Sequence, residues 1–66
     1  MEKEKYEKLF ADFVKAFSAV PEQLRNQLII VIEGQPYTWE SAFNAVKTES
    51  KNAEEILKRL KMLEFI

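Results

Sequence analysis

The chain has 66 residues, with ten basic and eleven acidic side chains, a net charge of −1, and no cysteine or histidine. Disulfides and ordinary His/Cys zinc sites are therefore excluded, and the lone aspartate, Asp12, rules out an EF-hand calcium loop, so neither metal nor cofactor is expected. Hydrophobic residues make up 47% and include five Phe, one Trp and two Tyr, enough for one small core, so a single domain over 1–66 is expected.

The spacing predicts a first helix over 2–19. Tyr6, Leu9, Phe10, Phe13, Val14 and Phe17 recur at three- and four-residue intervals and fall on one face, with Glu4, Lys5, Lys8, Asp12 and Lys15 on the others. Pro21 forces the preceding residue out of the helical region and suits the first turn of a second helix, expected over 22–33. Leu24, Leu28, Val31 and Ile32 fit one face of it, and Gly34 with Pro36 reads as its stop. The run LIIVI at 28–32 has, taken alone, the composition of a buried strand. A strand there needs a partner, and MLEFI at 62–66 is the one segment that offers itself, so the helix is favoured.

Thr38 caps a third helix over 39–47, with Glu40 in its first turn and Trp39, Ala42, Phe43 and Val46 at helical spacing. Thr48-Glu49-Ser50 breaks it. Ser50 or Asn52 caps the last helix, expected over 51–63, whose apolar face is Ala53, Ile56, Leu57, Leu60 and Leu63. The fold class expected is all-α, a compact four-helix bundle with a helix-turn-helix-like C-terminal core. The N-terminus MEKEKYEKLF has no targeting pattern, and the longest apolar run falls far short of the roughly 20 residues that span a bilayer. A cytoplasmic protein with no membrane partner is expected.

Residues 24–66 resemble the helix-turn-helix core of winged-helix transcription regulators. Thr38, Ala42, Val46, Leu57, Leu60, Phe65 and Ile66 fall at the family's cap, core and strand positions. The chain departs from the pattern at Phe43, where the family favours alanine, at Lys47 and Glu64, where it favours glycine, and at Thr48, where an apolar residue is usual. The hairpin wing of that family is not expected here, since residues 24–66 match its core alone. The chain also looks like a small uncharacterised protein of hyperthermophilic archaea, a likeness that brings no activity with it.

The resemblance implies a regulator-like, non-catalytic module on a DNA-binding scaffold, with the last helix as the probe of double-stranded DNA. Lys51, Asn52, Lys58 and Arg59 would then make contacts, with Lys47 and Lys61 on phosphates. Residues 47–61 carry five basic and three acidic groups, a local +2, whereas residues 1–40 carry five and seven, a local −2. A plainer reading makes the last helix a solvated face with Glu54–Lys58 and Glu55–Arg59 pairs. The competing function is a protein–protein adaptor or homodimer using Tyr6, Phe10 and Phe13, rings that can equally be core. Tyr37 and Trp39 could stack on a base or close one end of the core. Catalysis is not expected: Glu33 and Glu40 flank a turn, and there is no phosphate loop, dinucleotide fingerprint or nucleophile elbow.

Overall fold

The computed structural model describes residues 2–66. Helix α1 spans Lys3–Ser18. A short 3₁₀ turn at Glu22–Leu24 leads into strand β1, Leu28–Ile32, which pairs antiparallel with β2, Gln35–Thr38. Helices α2, Trp39–Lys47, and α3, Ala53–Met62, complete the chain. The architecture is mixed α and β. This corrects the all-α four-helix bundle and its three-helix C-terminal core, because residues expected as a helix over 22–33 form a 3₁₀ turn and a strand.

The local chemistry explains the correction. Residues 29–32 are four consecutive β-branched side chains, whose restricted χ1 lowers helix propensity and suits a pleated strand. Glu33 and Gly34 both take positive φ, 50° and 79°, as a two-residue type I′ turn requires. The twist of that turn matches the twist of the strands it joins, so the chain doubles back on itself. The partner of LIIVI is therefore Gln35–Thr38, and MLEFI, which forms the end of α3 and the tail, is not its partner.

Ile32 faces Gln35 across the turn, Val31 faces Pro36, and Ile30 faces Tyr37. With a two-residue turn, the first and third of these are hydrogen-bonded pairs and the middle one is not. Pro36 thus sits where its missing N–H would have pointed away from β1, which is why proline is tolerated in mid-strand. The register then slips by one residue between Leu28 and Ile30, a β-bulge at Ile29.

Ile30 and Ile32 turn inward and are buried, while Val31 points out. They meet a core of Leu9 and Phe13 from α1, Ala42 and Val46 from α2, and Ala53, Ile56, Leu57 and Leu60 from α3. Phe13 is completely enclosed, with the rings of Phe17, Trp39 and Phe43 centred 6.5, 6.1 and 5.9 Å away. Phe43, the departure at an expected alanine, stacks on Phe17 at 4.5 Å with planes 12° apart. Its size therefore serves α1: the aromatic stripe of that helix closes on it. Pairs of this kind add about 0.5–1.5 kcal/mol beyond area burial.

Helix α2 opens with a reciprocal cap: the Ser41 N–H donates to Thr38 Oγ1 at 3.0 Å, and the Thr38 N–H donates to Ser41 Oγ at 2.8 Å. Both α2 and α3 end in Schellman motifs. Ser50 N–H donates to Ala45 O and Glu49 N–H to Val46 O; Phe65 N–H donates to Leu60 O and Glu64 N–H to Lys61 O. The left-handed residue of each motif is a glutamate, Glu49 at φ 52° and Glu64 at φ 62°.

Glu33 carries the same conformational cost in the hairpin turn, where asparagine is the preferred residue. Replacing Glu33 with Asn is expected to stabilise the fold by roughly 0.5–1 kcal/mol, part of the left-handed penalty. Urea unfolding should show a raised midpoint with an unchanged slope. A lowered midpoint would contradict the turn assignment.

Candidate interaction surfaces

The six residues expected to contact DNA stand in different surroundings. Lys47, at the end of α2, and Lys51, in the following turn, line an open cleft of about 500 Å³ beside the first half of α1. The floor of that cleft is Tyr6, Phe10 and Val46. Around it stand Lys3, Lys47 and Lys51, and against them Glu7, Glu49 and Glu54. Cations and carboxylates are equal in number, so the cleft has no net pull on a phosphate.

Asn52 is half-buried and its Nδ2 donates to the Tyr37 hydroxyl at 3.0 Å. That bond ties the start of α3 to β2 and uses one of the two N–H groups of the amide. Arg59 Nε donates to Glu55 Oε1 at 3.1 Å as an i,i+4 pair on the surface. An exposed pair of this kind contributes about 0.3–0.5 kcal/mol and is readily exchanged for water. Lys58 and Lys61 are exposed along α3.

The aromatic stripe on α1 is largely used internally. Phe13 is fully buried, Phe10 is half-buried with its ring 6.1 Å from Phe43, and Tyr6 donates its hydroxyl to Val46 O at 2.8 Å. The last bond fastens the start of α1 to the end of α2, forty residues away. Tyr37 and Trp39 also close the core: Tyr37 accepts from Asn52, and Trp39 packs between Phe13 and the edge of Phe65.

At the far end of α1, the Arg25 guanidinium lies 4.6 Å above the Phe17 ring, and its Nε is buried without a hydrogen-bond partner. A cation held over an aromatic face recovers part of that lost hydration. The cleft beside it also carries Glu22 and Glu40, so one cation faces two carboxylates. Neither cleft has the charge balance of an anion site.

Apolar surface is exposed elsewhere, at residues the expected sites did not include. Leu28 and Val31 on β1 are 63% and 51% exposed, and Met62 and Leu63 at the end of α3 are 78% and 57% exposed. Trp39 touches the chain next to each group: its main-chain N–H donates to Gln27 O, beside Leu28, and its ring meets Phe65 edge-on at 5.5 Å. Sequence periodicity does not reveal this surface, because helical spacing puts Leu28 and Val31 on one inner face.

Among the described residues, no helix is long and apolar enough to cross a membrane, and no group of three acidic side chains is placed to hold a metal ion. No protein-family model, curated protein or solved structure matches the chain.

Burial raises the Tyr6 phenol above its ordinary pKa of about 10, and the nearby Glu49 and Glu54 carboxylates raise it further. A raised phenol pKa means that the folded state holds its proton longer than the unfolded chain does. The contribution to stability is therefore complete below about pH 10 and declines as pH climbs through the folded value. Tyr6→Phe should cost about 0.5–1.5 kcal/mol at neutral pH through loss of the Val46 bond. It should also flatten part of the fall in stability above about pH 9.5. Parallel alkaline limbs for the two proteins in urea unfolding would contradict this account of Tyr6.

Proposed function

We propose that this chain is a non-catalytic protein-interaction module working through the apolar surface around Trp39. The observation that carries the reading is the exposure of Leu28, Val31, Met62, Leu63 and Phe65 on segments that converge on that residue. Single exposed hydrophobics are ordinary, but five of them on two segments that both meet Trp39 support an association surface. It moves the binding role from Tyr6, Phe10 and Phe13, which serve the core, to the outer hairpin and the end of α3.

The DNA-regulator reading has weaker support. Of its contact set, Asn52 and Arg59 are engaged within the fold, and Glu49, Glu54 and Glu55 stand among the lysines. A phosphate-tracking surface would need those carboxylates turned away from the duplex.

Two measurements separate the readings. A hydrophobic dye should bind the native chain, and Val31→Gln with Leu63→Gln should reduce its fluorescence several-fold at unchanged helix content. Amide shifts should be insensitive to mixed-sequence duplex DNA at low salt, where phosphate attraction is strongest. No dye binding, with salt-sensitive shifts over residues 47–61, would overturn the proposal in favour of DNA.

A further inference from the structure

β1 and β2 form a two-stranded sheet, so each strand has one outer edge. The two edges differ in chemistry. On β2 the outward position in mid-strand is Pro36, which has no N–H to offer an incoming strand. On β1 the outward position in mid-strand is Val31, whose N–H and C=O both point away from β2. Among the described residues, no hydrogen bond outside the hairpin ladder uses a main-chain group of residues 28–36. The β1 edge is thus an open donor–acceptor pair set in an uncharged apolar strand.

We infer that β1 pairs antiparallel with β1 of a second copy of this chain, the two-fold axis passing beside Val31. The inference rests on the interaction-module reading and names its partner. In this arrangement each Val31 N–H donates to the Val31 carbonyl of the partner copy. The outward valine side chains meet side by side, and Ile30 of each copy lies opposite Ile32 of the other, extending the apolar inner face. The result is a four-stranded antiparallel sheet, more stable than an isolated two-stranded one.

Three features favour a second copy over an unrelated strand. LIIVI carries no charge, so a charged partner strand gains nothing from it, and the apolar strand that complements it is LIIVI itself. Antiparallel pairing of identical strands is self-complementary under two-fold symmetry. A net charge of −1 sets little repulsion between copies. Pro36 then limits growth: with the β2 edges blocked, pairing closes at two copies instead of continuing into a fibre. A stable pair needs about 800 Å² from each copy, roughly one-sixth of the 4664 Å² surface of this chain. The exposed side chains of Leu28 and Val31 lie where that area would be taken.

The test is sedimentation equilibrium up to millimolar concentration, with amide exchange at Val31 followed over the same range. The wild-type chain should dimerise, and the Val31 amide should gain protection as the dimer forms. Val31→Lys should weaken association at least about tenfold, a difference of 1.4 kcal/mol, while leaving the circular dichroism unchanged. Val31→Pro removes the same donor at a position the hairpin tolerates, and it provides a second test should the lysine variant misfold. A monomer at millimolar concentration, with Val31 exchanging freely, would overturn the inference. A dimer abolished by Leu63→Gln but indifferent to both Val31 variants would also overturn it, while leaving the interaction-module reading intact. Binding of an extended foreign peptide at the β1 edge by a chain that stays monomeric would do the same.

Discussion

The register of one hairpin governs most of this molecule. Side chains alternate along a strand, so a slip of one residue would expose Ile30 and Ile32 and bury Val31. The two-residue turn at Glu33–Gly34 fixes that choice by setting Ile32 opposite Gln35. Once it is fixed, β1 supplies two isoleucines to a core otherwise made by three helices, and Tyr37 is placed to accept the Asn52 side chain at the start of α3. The same register leaves Val31 outward and puts Pro36 at the one mid-strand position where proline does no harm. Core and outer surface are two consequences of a single constraint.

The second organising element is the aromatic layer between α1 and α2. Phe13 is enclosed by Phe17, Trp39 and Phe43, and Phe43 takes the stacking face of Phe17. In a chain of this size few other groups could hold α1 in place, and the Tyr6–Val46 bond anchors its other end. That division of labour spends most of the conspicuous stripe on α1 inside the fold. The most exposed apolar groups, Leu28, Val31, Met62 and Leu63, lie on elements with less covering them: a two-stranded sheet and the end of a helix.

The helices were legible because their apolar residues keep a 3.6-residue period over two or more turns and their neighbours are charged. The hairpin was not, for reasons visible in particular residues. Gly34 and Pro36 are helix stops as readily as turn and edge-strand residues, and the strand they open is only four residues long. Leu28, Val31 and Ile32 also fit a helical face by spacing, whereas four β-branched residues in a row argued for a strand. Glycine gave little help, since the chain has one. The left-handed positions at 33, 49 and 64 hold glutamates, so the type I′ turn keeps only the second half of its usual Asn-Gly marker and the two Schellman ends lack theirs. The resemblance to a helix-turn-helix core rested on apolar spacing, which a helix pair packed on a hairpin satisfies equally well. Of the candidate site residues, the charged ones were legible as exposed. Their mutual engagements, Asn52 with Tyr37 above all, depend on a tertiary contact across fifteen residues that no local pattern encodes.

Both the buried and the exposed faces of the hairpin follow from the pairing of Val31 with Pro36. In a non-hydrogen-bonded antiparallel pair the two Hα atoms face each other across the narrowest gap of the ladder. The most direct measurement is therefore a nuclear Overhauser experiment on the isotopically labelled chain. A strong cross-peak between Val31 Hα and Pro36 Hα is the result this structure requires. Its absence, with successive amide–amide contacts and Hα-to-amide contacts three residues apart through 28–33, would restore the helix and remove the basis for the surface described here.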